Sequence, residues 1–200
     1  MTTLLRKKFH IILIGLLTSC GQSTEFTLKS FSTELIQDTD KSKGSPDYTF
    51  ISDTLKEKSK IGLVFNFDVD YSGSGGSQEP GNKGTKDTIT KFEVLKINNE
   101  MVKNITQSFH NKKQIENSNY LYATDFIDID DFVKTFNELY VDNQNNNYQN
   151  RIKTGWKLEG SQYVFWLNHS EAKSLKKGDT LRTKIELTTK KVLKNETVIK

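Results

Sequence analysis

Asp68-Val69-Asp70-Tyr71-Ser72-Gly73, with Glu79 closing a twelve-residue span, is the sharpest run of chemistry-bearing residues in the sequence. Oxygen ligands at positions one, three, five and twelve, with glycine at six, match the spacing by which a calcium loop wraps a hard cation. That loop needs a helix on each side. Here Asp68 ends a strand-like run, Pro80-Gly81 follows Glu79, and position eight, ordinarily apolar, is Gly75. The simpler reading is a pair of solvent-facing strand aspartates running into a loop. No cofactor is therefore expected, with calcium at Asp68, Asp70, Ser72 and Glu79 as the alternative.

The other titratable residues offer less. His110 and His169 show neither of the zinc spacings His-x-His and His-Glu-x-x-His, so a surface or locally hydrogen-bonded role is expected for both. There is no Gly-x-Ser-x-Gly elbow, and Gly73-Ser74-Gly75-Gly76 lacks the lysine and helix start of a phosphate loop. Asp125, Asp128, Asp130 and Asp131 cluster at the start of an amphipathic run, where they read as a helix cap and first turn rather than metal ligands. Carboxylates distant in sequence can still be paired by a fold. That leaves an envelope hydrolase as the alternative function, with no catalytic residue nominated.

Trp156, Tyr163, Phe165 and Trp166 have the chemistry to stack on a sugar ring or a partner's surface. Alternate side chains along 161–167 face opposite ways, so some of them must be core, and packing is the expected role. Lys173, Lys176, Lys177, Arg182, Lys184, Lys190, Lys191 and Lys194 make the C-terminal segment basic. Such charge can face anionic headgroups. More simply, it solvates a sheet face and discourages edge pairing.

Cys20 is the sole cysteine. Before it come a basic stretch with Arg6, Lys7 and Lys8, an apolar run Phe9–Leu17 interrupted by His10 and Gly15, and then Thr18-Ser19. After it the chain turns polar at once. A basic n-region, an apolar h-region and small residues at the cut form the secretory pattern, and the apolar run is shorter than the ~20 residues of a spanning helix. Leu17-Thr18-Ser19-Cys20 resembles the lipobox of bacterial lipoproteins. The resemblance implies a signal peptide over 1–19, a diacylglycerol on the Cys20 sulfur, and a new amine that is often acylated, palmitate-like chains forming the anchor. Each buried methylene contributes ~0.8 kcal/mol and stable anchoring takes two chains, so attachment to the membrane through a lipidated Cys20 is durable. A lipidated thiol also leaves no disulfide and no cysteine catalysis.

The formal charge of +4 includes Arg6, Lys7 and Lys8. Without them about +1 remains, which supports no general nucleic-acid footprint. Hydrophobic residues make up only 34% of the chain, but 12 Phe, 7 Tyr and 2 Trp make a packed core feasible. Abundant Lys and Asn with only 2 Pro, together with the lipobox, are similar to small lipoproteins of Bacteroidota. In that setting Asp53-Thr54-Leu55, Asp87-Thr88-Ile89 and Asp179-Thr180-Leu181 resemble O-glycosylation acceptors, nominating Thr54, Thr88 and Thr180. Asn104, Asn168 and Asn195 stand in Asn-x-Ser/Thr, a pattern of little weight in a bacterial lipoprotein. Gly21 is not the aspartate associated with inner-membrane retention in enteric bacteria. The outer membrane is thus preferred, on its periplasmic face or at the surface.

The elements that must position these residues are mostly strands. Phe26, Leu28, Phe31, Leu35 and Ile36 suggest one after a lipidated tether over 20–25, and Tyr48–Ile51 a short second one. Over Ile61–Tyr71, Leu63, Phe65, Phe67, Val69 and Tyr71 alternate with Val64, Asn66, Asp68 and Asp70, the mark of a half-buried strand. A Gly/Ser-rich loop over 72–86 is expected to be flexible. Ile89–Ile97 reads as a strand, and 98–119 is ambiguous, with a short helix suggested at Met101–Phe109. Ile129, Phe132, Val133, Phe136, Leu139 and Tyr140 share one face of a helix over about 128–141, capped by Asp128. Ser161–Leu167, Thr180–Thr189 and Thr197–Ile199 complete the strands, with a turn-like link over 190–196. One helix inserted among strands, in a single domain over 26–200, points to a mainly β antiparallel sandwich, with an immunoglobulin-like arrangement as the specific candidate. The expected function is a lipid-anchored envelope protein that binds or assembles with an envelope protein or glycan.

Overall fold

Strand alternation decides the architecture. The computed structural model describes residues 24–38, 48–51, 60–72, 80–99, 101–110, 126–141, 152 and 154–200. Its strands are β1 (Glu25–Asp38), β2 (Tyr48–Phe50), β3 (Ile61–Ser72), β4 (Gly84–Thr85), β5 (Ile89–Asn98), β6 (Met101–Asn104), β7 (Phe109–His110), β8 (Gln162–Leu167), β9 (Thr180–Leu187) and β10 (Val192–Val198). The helices are α1 (Ile129–Asn137), α2 (Gly155–Glu159) and α3 (His169–Ser174).

One sheet has the order β2-β1-β3-β8-β7, with β4 alongside the start of β1, and the other β10-β9-β5-β6. All pairs are antiparallel except the two-residue contact of β1 with β4. The two sheets make a β-sandwich. Leu63, Phe65, Phe67 and Val69 of β3, with Tyr163, Phe165 and Leu167 of β8, are buried in one core with Phe92 and Val94 of β5 and Leu181 and Ile185 of β9. Successive strand residues point to opposite faces, so the period-two pattern in the sequence becomes an inside and an outside.

Helix α1 closes the sandwich. Asp128 caps it, its side chain accepting a 2.8 Å hydrogen bond from the Asp131 amide. Phe132 is fully buried, stacked on Phe67 of one sheet at 5.2 Å and edge-on to Phe92 of the other at 6.2 Å. The helix stops at Asn137, short of the expected 141. The Asn137 amide brackets Ile89, accepting from its N–H at 2.7 Å and donating to its C=O at 2.9 Å. Two residues on, the Leu139 carbonyl accepts from Thr85 at 2.8 Å. These contacts draw the backbone out of the helix and onto β4. Gly84, at φ +106°, permits that approach, because a Cβ there would lie 2.1 Å from the Leu139 oxygen.

Four other expectations need correcting. The turn-like link over 190–196 is mostly strand β10. Two of its inward residues, Asn195 and Thr197, are polar and bond Thr33, so no apolar alternation betrayed it. The suggested helix at Met101–Phe109 is strand β6 followed by a 3₁₀ turn over Thr106–Ser108, because Asn99 at φ +48° turns the chain back on β5. The tether over 20–25 loses its last two residues to the domain, since Thr24 is buried and Glu25 begins β1. The loop expected to be flexible over 72–86 is pinned in its second half, where Gly81, Lys83, Thr85 and Lys86 all make backbone hydrogen bonds to Thr24, Phe26 or Leu139 or to the Thr24 hydroxyl.

Candidate functional site

Of the four calcium candidates, Asp68, Asp70 and Ser72 are described and Glu79 lies outside the described residues. Lys29 interrupts the register of β1 between Leu28 and Ser30, a bulge that re-aims its side chain. Its ammonium lies 3.2 Å from Asp68 Oδ2 and 3.8 Å from Asp70 Oδ1. The Lys29 hydrogen bond holds the Asp68 carboxyl below its ordinary range, against a smaller opposing effect of burial, with help from Ser30. Lysine thus supplies the positive charge that the aspartate spacing invites. Among the described residues, no three or more His, Cys, Asp or Glu are grouped to hold a metal ion.

The aromatic residues divide as alternation requires. Tyr163 and Phe165 are core, Trp166 is half-buried on the opposite face, and Trp156 on α2 is exposed. Outside the first sheet lies a second apolar cluster of Ile36, Val64 and Val164, with Tyr48 and Trp166 packed against it. Gly62 sits against Trp166, because a Cβ there would approach the indole to 3.0 Å and the Phe165 carbonyl oxygen to 2.7 Å. The Tyr48 hydroxyl donates to Gln162 at 2.7 Å, and Phe50 meets the Tyr48 ring edge-on at 5.9 Å while staying 48% exposed. This shallow aromatic face is assembled from β2, β1, β3 and β8, and only Trp166 among its aromatics was singled out by the sequence.

A buried polar network was also missed. Lys96 faces inward from β5, its ammonium 3.4 Å from the buried Asp179 carboxylate and bonded to the Ser174 carbonyl at 2.6 Å and hydroxyl at 2.9 Å. Next to it Lys103 pairs with Glu171, which is also bonded to Ser174. The Lys103 hydrogen bond depresses the Glu171 pKa, against a smaller opposing effect of burial. The signal was present in the sequence: counting in twos from Phe92 and Val94 reaches Lys96. A serine beside a lysine invites a nucleophilic reading, but this lysine is held by a carboxylate and a carbonyl, so the arrangement is an ion-pair network bracing α3 and the start of β9.

The remaining nominations fall apart in space. Asp128 and Asp131 serve the α1 cap, and Asp130 accepts from Gln107 at 2.8 Å. His110 is half-buried on β7 and His169 exposed at the start of α3. Of the basic C-terminal residues, Arg182 and Lys184 on β9 share one sheet face with Lys194 on β10, interleaved there with Glu196 and Glu186, whereas Lys173, Lys176 and Lys177 precede β9 and Lys190 and Lys191 follow it. Thr88 and Thr180 are half-buried beside buried Asp87 and Asp179. Asn104, Asn168 and Asn195 each use the side-chain oxygen to hold the fold, accepting from Thr106, Glu171 and Thr33. Cys20, Thr54 and Asp125 lie outside the described residues. Among the described residues, no helix is long and apolar enough to cross a membrane. No family model, curated protein or solved structure matches the chain.

Proposed function

We propose that the chain is a lipid-anchored cell-envelope protein that serves as a binding or assembly module on an immunoglobulin-like sandwich. Strand order supports the fold part of this reading. The orders β1-β3-β8-β7 and β10-β9-β5-β6 correspond to A-B-E-D and G-F-C-C′, with every pair antiparallel. In that correspondence α1 and α2 belong to a long insertion between strands D and E.

The functional part is carried by one observation, the aromatic face of Tyr48, Phe50 and Trp166. Aromatic surface of this kind provides apolar area and stacking edges without the cost of desolvating charge. It suits an envelope protein or a glycan and does not suit nucleic acid, which calls for basic surface. Anchorage through Cys20 is supported by the residues around it, with the outer membrane as the preferred location, and neither calcium nor another cofactor is invoked.

The test compares lipidated wild type with Phe50→Ala, each crosslinked in and recovered from the native envelope. A protein or glycan is expected with the wild type and not with Phe50→Ala, whose melting temperature stays unchanged. Equal recovery by both proteins would remove the aromatic face from the argument. Turnover of an envelope polymer by the pure protein would favour the hydrolase reading.

A further inference from the structure

Thr24, the residue just before β1, is tied to one turn by three hydrogen bonds. Its hydroxyl accepts from Gly81 N–H at 2.6 Å, its amide donates to Asn82 Oδ1 at 3.1 Å, and its carbonyl accepts from Lys83 N–H at 3.0 Å. The same turn holds α2: Gly81 O accepts from Gly155 at 3.3 Å and Pro80 O from Trp156 at 3.1 Å. Gly155 packs directly on Phe26, where a Cβ would fall 2.8 Å from the ring. Trp156 is therefore fixed relative to Thr24 through a single turn, yet its side chain is 47% exposed, with the Lys157 ammonium 4.6 Å from the ring centroid.

Thr24 lies four positions after Cys20, a span of at most about 14 Å when fully extended. We propose that this end of the sandwich rests on the bilayer and that Trp156 enters its interfacial layer. The inference builds on the lipidation of Cys20. Indole rings favour the headgroup level, and a lysine stem beside one lies along apolar surface while its ammonium stays in water. Among the described residues, the charges near this end offset one another: Lys29, Lys83, Lys86 and Lys157 stand against Glu25, Asp68, Asp70 and Glu159, with Lys86 paired to Glu25 at 2.9 Å and Lys29 to Asp68. Contact with lipid thus depends on the tether and the indole rather than on attraction to anionic headgroups.

The chain carries a built-in control, because it has only 2 Trp. Trp166 lies against Gly62, whose partner on β1 is Ile36, ten residues beyond Phe26 and so about 33 Å along the strand. The lipidated mature protein is reconstituted into phosphatidylethanolamine–phosphatidylglycerol vesicles whose acyl chains are brominated close to the headgroup. Wild-type emission is expected to shift to shorter wavelength and lose intensity to the bromines, equally at low and high salt. Trp156→Phe, a change at an exposed site, should abolish that loss. Absence of quenching in the wild type would overturn the inference, as would quenching that persists in Trp156→Phe. Intact mass separates the two readings. A protein without diacylglycerol ends both, whereas a lipidated protein with unquenched Trp156 ends this one alone.

Discussion

Asn195 Oδ1 accepts hydrogen bonds from both the backbone N–H of Thr33, at 3.1 Å, and its hydroxyl, at 2.5 Å, across 162 residues of chain. Thr197 adds its own hydroxyl to the Thr33 carbonyl at 3.1 Å, and the Lys191 ammonium reaches the Leu28 carbonyl at 3.0 Å. Side chains of β10 and its turn thereby satisfy part of the open edge of β1, joining the two sheets where no backbone ladder does. An unpaired edge is a template for unwanted pairing, so this seam also shields that stretch of β1.

Asn195→Ala removes both bonds at Thr33 and strands a buried amide. The expected cost is about 1–3 kcal/mol in urea denaturation. Asn195→Asp, which keeps the acceptor, should lose less. Equal losses for the two variants would show that the acceptor oxygen is not what matters.

Lys96 and Asp179 form a pair whose side chains are only 11% and 2% exposed. Removing one partner leaves the other buried without compensation, so Lys96→Met should cost about 3–5 kcal/mol. The double variant Lys96→Met/Asp179→Asn should recover a substantial part of that loss. A double-mutant cycle with no coupling would contradict this account.

Glu171 gives a pH dependence of known sign. Its pKa is depressed in the folded state, mainly by Lys103. The pair therefore contributes stability above the unfolded carboxylate value of about 4.3, which is lost as the pH falls through the lower folded value. Urea midpoints measured from pH 7 to pH 3 should fall more steeply for wild type than for Glu171→Gln.

Tyr163 is almost wholly buried, and its hydroxyl has no hydrogen-bond partner among the described residues. Burial pushes its pKa far above the usual phenol value, against a smaller opposing effect of the nearby Ser161 side chain, which falls short of a formed hydrogen bond. Tyr163→Phe should therefore be neutral or stabilising by up to about 1 kcal/mol, because deleting an unsatisfied buried polar group removes a penalty. A clear destabilisation on thermal melting would mean that the hydroxyl is bonded in solution.

Much of the fold was legible because it rests on local pattern. The alternation over Leu63–Val69 and the spacing of Ile129, Phe132 and Phe136 behind the Asp128 cap each declare an element and its buried face within a dozen residues. Tyr71 departs from the rule. The alternation assigned it to the core, but at the end of β3 it is 37% exposed and donates to Glu159 at 2.8 Å. β10 was hidden for the opposite reason, since its inward Asn195 and Thr197 are polar and are satisfied only by a strand at the other end of the chain.

The sequence alone determined a single cysteine behind a short apolar run, a strand-dominated sandwich and one capped helix, because composition and short-range period are properties of neighbouring residues. Only the tertiary structure decided that the paired aspartates of β3 meet Lys29, that Lys96 is buried with Asp179, and that Tyr48 and Phe50 join Trp166 on one face. It alone tied Trp156 and Thr24 to the same turn over 80–83. Each of these depends on cross-strand register and on a turn that brings distant segments together, and a one-residue slip in register would send every such side chain to the other face.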